Sequence, residues 1–76
     1  AANASVKAKF YSPLNEAVHI ILYNSEGRKI KEWNKSVIKG INSIILDGLD
    51  ALADGMYIIQ IEGNNIHLQQ KIYMLK

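Results

Sequence analysis

The sequence predicts an all-β domain, a sandwich or small barrel of about six or seven short, mainly antiparallel strands. Two observations carry this. Apolar residues recur at every second position in successive short stretches, the period of a strand with one face in a core and the other in water. Glycine, asparagine and aspartate turn signals separate those stretches, with no convincing helical spacing between them. Isoleucine dominates the alternating positions, in keeping with the way β-branched side chains pack on a pleated surface.

The first strand is read from Val6, Ala8 and Phe10 alternating with Lys7, Lys9 and Tyr11. Ser12-Pro13-Leu14-Asn15 interrupts it, because proline removes a ladder donor and favours a turn or an edge. Residues 17–23 form the second strand, with Val18, Ile20 and Leu22 on one face and His19, Ile21 and Tyr23 on the other. Apolar bulk on both faces predicts a central strand, or one whose second face is partly covered. Asn24-Ser25-Glu26-Gly27 is the clearest hairpin signal, since glycine takes a positive φ without a Cβ penalty. Residues 28–33 should return antiparallel with Ile30 inward and Lys29, Lys31 and Trp33 opposite, the lysine stems flanking an exposed indole. Residues 34–39 lack sustained alternation and are expected to form a loop, with Val37 or Ile38 dipping back over the core.

Residues 41–47 make the next strand, with Asn42, Ile44 and Leu46 sharing a face. The stretch from Gly48 to Gly55 is too short for an ordinary helix, so Leu49 and Leu52 are expected to tuck a bend or one 3₁₀ turn against the core. Asp54-Gly55 then reverses the chain. Tyr57, Ile59 and Ile61 are the buried set of the following strand, which Gly63-Asn64-Asn65 ends. In the last strand Ile66, Leu68, Ile72 and Met74 are in phase, and Gln70 on that apolar face marks a bulge or a division into two short strands.

Seventy-six residues support one core, read as a single domain over residues 5–76. Ala1-Ala2-Asn3-Ala4 carries neither alternation nor anchors and reads as a linker remnant or an appended scar. A chain of this size removes roughly 60 to 65% of its unfolded surface from water, which leaves little for an enclosed active site. There is no cysteine, so neither a disulfide framework nor a thiolate zinc site is available. Apolar runs fall far short of the roughly 20 residues that cross a bilayer, and membrane insertion is not expected. A formal charge of +2, with lysines scattered along the chain, is too mild to imply a polyanion partner.

Nothing in the sequence assembles a catalytic group. The serines and the two histidines, His19 and His67, sit in no nucleophile-elbow or triad pattern, and two histidines with carboxylates from unspecified strands are weak evidence for a metal. Asp47, Asp50 and Asp54 lack the glycine and terminal glutamate of a helix-loop-helix calcium site and fit turns and strand ends better. Trp33 among Lys29, Lys31, Lys35 and Lys39 is the one arrangement a single nucleic-acid strand would use. The other aromatics complete no such motif, so neither a nucleic acid nor a cofactor is expected, and Trp33 is kept as a candidate exposed contact.

The order of these elements resembles the C-terminal sorting domains of cargo exported by the type IX secretion system of Bacteroidota. Leu22-Tyr23-Asn24-Ser25-Glu26-Gly27-Arg28-Lys29-Ile30 looks like that family's strand, turn, glycine, basic residue and returning strand. Gly40-Ile41-Asn42-Ser43-Ile44-Ile45-Leu46-Asp47 matches its glycine, asparagine and alternating-apolar segment. Leu52-Ala53-Asp54-Gly55-Met56-Tyr57-Ile58-Ile59-Gln60-Ile61 matches the next element, and Lys71-Ile72-Tyr73-Met74-Leu75-Lys76 resembles the short basic and apolar ending. The resemblance covers residues 17–76, and the family's common proline-asparagine-proline opening is absent.

The resemblance implies an immunoglobulin-like β-sandwich that is not an enzyme. Such a domain directs cargo attached at its N-terminal side from the periplasm across the outer membrane, to the cell surface or beyond, and is removed by a surface sortase. The implied partners are the type IX translocon, the sortase and the cargo. Family pattern carries over to Gly27, Arg28, Gly55 and Tyr57 as turn and strand residues, and to Lys71, Ile72, Tyr73, Met74, Leu75 and Lys76 as the candidate recognition segment. The alternative is an adhesion or carbohydrate-binding accessory domain, which an exposed platform of Trp33 and Tyr23 with affinity for a glycan would favour.

Overall fold

Each alternating stretch becomes a strand: β1 (Val6–Ser12), β2 (Glu16–Asn24), β3 (Lys29–Val37), β4 (Gly40–Leu46), β5 (Gly55–Glu62) and β6 (His67–Met74). The structure, a computed structural model, describes residues 6–49 and 51–74. The expected linker at Ala1 to Ala4, Asp50, and positions Leu75 and Lys76 of the candidate recognition segment lie outside the described residues.

Antiparallel pairing builds two sheets, one of β1 and β4 and one in the order β3-β2-β5-β6. The result is a small sandwich, as the alternation predicts. Its core lies between the inner faces, where Val18, Ile20 and Leu22 of β2 and Tyr57, Ile59 and Ile61 of β5 meet Phe10 of β1 and Leu46 of β4. The central position of β2 explains why its outer residues His19, Ile21 and Tyr23 are half-buried while its inner ones are fully buried.

The turns follow from side-chain chemistry. Asn24 Oδ1 accepts hydrogen bonds from the backbone N–H groups of Glu26 and Arg28 at 3.0 and 2.9 Å, and Gly27 between them has a φ of 87°. A Cβ at Gly27 would meet no neighbour, so the backbone angle alone selects glycine there. Between β3 and β4, the buried Asn42 amide donates to the carbonyls of Ile38 at 2.8 Å and Gly40 at 3.1 Å and accepts from the Ile38 N–H at 3.0 Å. One asparagine thus replaces the strand ladder at that corner. The bend before β5 holds Leu49 fully buried, with Leu52 packed on the core and its N–H donating to the Leu49 carbonyl at 3.1 Å.

Three expectations change. Residues 34–37 continue β3 rather than forming a loop, and Val37 is the buried member of the pair while Ile38 points outward. The ladder between β2 and β3 slips at Leu22 and Tyr23, which pair with Lys31 and Lys29 and leave Ile30 as an extra residue. Ile30 still packs against the core as expected, but beyond the bulge the phase is reversed, so Lys31, Trp33 and Val37 share the inner face with Leu22, Ile20 and Glu16. Gln70 marks neither a bulge nor a break, because β6 pairs with β5 without interruption from Gly55 and Met74 to Glu62 and His67. Gln70 faces inward opposite Ile59, where the smaller sheet does not cover it.

Candidate recognition surface

Residues 71–74 of the candidate recognition segment fall on β6, an edge strand of the larger sheet. Its register fixes the roles of its residues. Ile72 and Met74 pair with Tyr57 and Gly55 on the inner face, and Met74 is buried. Lys71 and Tyr73 pair with Ile58 and Met56 on the outer face, where Tyr73 is 75% exposed. The segment therefore combines two core anchors with a basic and an aromatic side chain displayed to solvent.

The other residues singled out from sequence are spread over the fold. Gly27 and Arg28 sit in the β2–β3 turn, with Arg28 held through its backbone and exposed. Gly55 opens β5 at a φ of 149°, in open space. Tyr57 points into the core and donates from its hydroxyl to the Ala53 carbonyl at 2.7 Å, tying the bend to the strand that follows. These residues shape turns and do not converge on one site.

Trp33 is half-buried against the core rather than exposed, with Lys31 Nζ 5.8 Å from the centre of its ring. The same ammonium donates to the Gly48 carbonyl at 3.1 Å, bracing β3 against the bend. Because Trp33 pairs with Ile20, it lies on the opposite face of the sheet from Tyr23. The two rings form no common platform.

On the outer face His19, Glu62 and His67 occupy matched positions on β2, β5 and β6. His19 instead turns to Glu32, with Nε2 2.6 Å from Oε2, and Lys29 Nζ lies 3.4 Å from the other carboxylate oxygen. The His19 hydrogen bond, followed by that from Lys29, holds the Glu32 carboxyl below its ordinary range. Gln60 donates to Glu62. Among the described residues no group of three histidine, aspartate or glutamate side chains could hold a metal ion.

Sequence reasoning missed a groove of about 400 Å³ between β1 and β6. Residues 6–11 form one wall, and Ile59 and Ile61 of β5 with Leu68, Gln69, Gln70 and Ile72 of β6 line the rest. Its one signal in the sequence was Gln70, a polar residue in the apolar phase of a strand.

The family model for the secretion system C-terminal sorting domain matches residues 2–75. The chain belongs to this family. The match reaches well before residue 17, so β1 is part of the sorting domain along with the elements that carried the resemblance. Comparison with curated proteins and with solved structures gives no match. Membership supports a secretion-signal role on an extracytoplasmic route for this domain of type IX cargo.

Proposed function

We propose that residues 5–76 act as one recognition unit that carries N-terminally attached cargo across the outer membrane through the type IX translocon, and that a surface sortase then removes it. The family match over residues 2–75 is the observation that carries this reading. The geometry supports β6 as the element presented to the machinery, since it is an edge strand that displays Lys71 and Tyr73 while Ile72 and Met74 anchor it. Residues 71–76 are the recognition segment, and Gly27, Arg28, Gly55 and Tyr57 hold the scaffold that presents it.

A reporter fused ahead of the domain in a type IX-competent cell should reach the surface. Deleting residues 71–76 should retain it, but that deletion also removes the inward Ile72 and Met74. The double variant Lys71→Glu, Tyr73→Ala alters only the outer face, and it should fold normally while export falls. Normal export of a folded double variant would overturn the assignment to β6, and failure of the intact fusion to leave the periplasm would overturn the sorting role.

A further inference from the structure

The two sheets are unequal. The larger has four strands and the smaller two, so the inner face of β6 extends past the sheet meant to cover it. On one side β1 pairs with β4, and no strand of the described residues pairs with its other edge. Residues 6–11 line the groove consecutively, inward and outward side chains alike, and a strand presents itself in that way only along its edge. Opposite lies a floor of isoleucine and leucine side chains interrupted by Gln69 and Gln70, in which Leu68 is 41% exposed although its partner Ile61 is buried.

We propose that the free edge of β1 takes up an extended protein segment as a third strand of the smaller sheet, and that this segment alternates apolar residues with carboxylates. A strand added about 4.8 Å beyond β1 would lie over Leu68, Gln70 and Ile72. Its inward side chains would fill the groove beside Ala8 and Phe10. Its outward side chains would stand next to Lys7 and Lys9, which share the outer face of β1. The groove wall contains these two lysines and no carboxylate, and neither lysine takes part in a described ion pair. Charge also disfavours self-association through β1. Pairing β1 with β1 would set lysine against lysine, the arrangement by which edge strands avoid self-association. This inference stands on the groove alone and does not depend on the sorting role.

The test uses the whole 76-residue chain and three capped synthetic peptides. One alternates glutamate with valine, one alternates lysine with valine, and one carries the same glutamates and valines in two blocks. The alternating glutamate peptide should bind, slow hydrogen exchange at alternate amides of residues 6–11, and weaken as salt is raised. The exposed double variant Lys7→Glu, Lys9→Glu should lose affinity for it by roughly tenfold and gain affinity for the lysine peptide. Equal binding of the two alternating peptides would overturn the charge assignment, and equal binding of the block peptide would overturn the strand geometry. Exchange unchanged at residues 6–11 would overturn the site. A dimer that protects those amides in the absence of peptide would replace the proposed occupant with a second copy.

Discussion

Strands β5 and β6 are neighbours of equal length, eight residues each, and both place alternate residues on the inner face of the same sheet. In β5 that face is closed: Tyr57, Ile59 and Ile61 are buried under the smaller sheet. In β6 the matched positions are Ile72, Gln70 and Leu68, and only Met74 at the end of the strand is buried. Alternation in a sequence therefore specifies which way a side chain faces, while the number of strands in the opposing sheet decides whether anything covers it.

The contrast is broken most directly by placing the same charge on both strands. Ile59→Asp forces a carboxylate among Leu22, Phe10 and their neighbours and should cost about 3 kcal/mol or more in urea unfolding. Gln70→Asp, directly across the ladder, should change stability by no more than about 0.5 kcal/mol. Comparable losses at both sites would mean that the groove is closed in solution. A gentler version truncates the paired residues Ile61 and Leu68. Ile61→Ala should cost about 2 to 5 kcal/mol and Leu68→Ala less than about 1, and chemical denaturation of the two variants measures the gap. A larger loss at Leu68 would place the true core boundary beyond β6.

The smallest effect belongs to the outer face, where a charge cluster takes the place of packing. Glu32 titrates below the ordinary carboxylate range because His19, and then Lys29, favour its ionised form. Its folded pKa is thus lower than its unfolded one, so its contribution to stability is present above the ordinary carboxylate range and is lost as pH falls through the lowered folded value. An NMR titration of the Glu32 side chain should show the low midpoint, and His19→Ala should move it back upward. An unchanged midpoint in that variant would dissociate the shift from the histidine.

Most of the sandwich was legible because short-range rules determine it. The inner faces of β1, β2, β4 and β5 follow from period-2 burial, and the turn at Gly27 follows from asparagine and glycine chemistry. The phase of β3 was not legible, because the bulge opposite Leu22 and Tyr23 is a property of pairing between strands and inserts one residue without a local mark. That slip turns Trp33 from an expected surface contact into a half-buried neighbour of Ile20, with Lys31 beside its ring. The same limit hid the groove, since no window of residues records how far one sheet overhangs another. The displayed positions Lys71 and Tyr73 were recoverable from alternation once β6 was known to run unbroken through Gln70.

The order of strands in the larger sheet also governs time. The hairpin β2–β3 is local, but β2 must find β5, and β1 must find β4 across the whole of that hairpin. The ladder joining His19 to Glu62 cannot close until nearly the entire chain is available. Topologies dominated by such distant pairings fold on the order of milliseconds to seconds, far more slowly than helical bundles of similar size. The two sheets therefore close late and together, because the strand that completes the core, β5, is also the one that β2 must reach across the greatest length of chain.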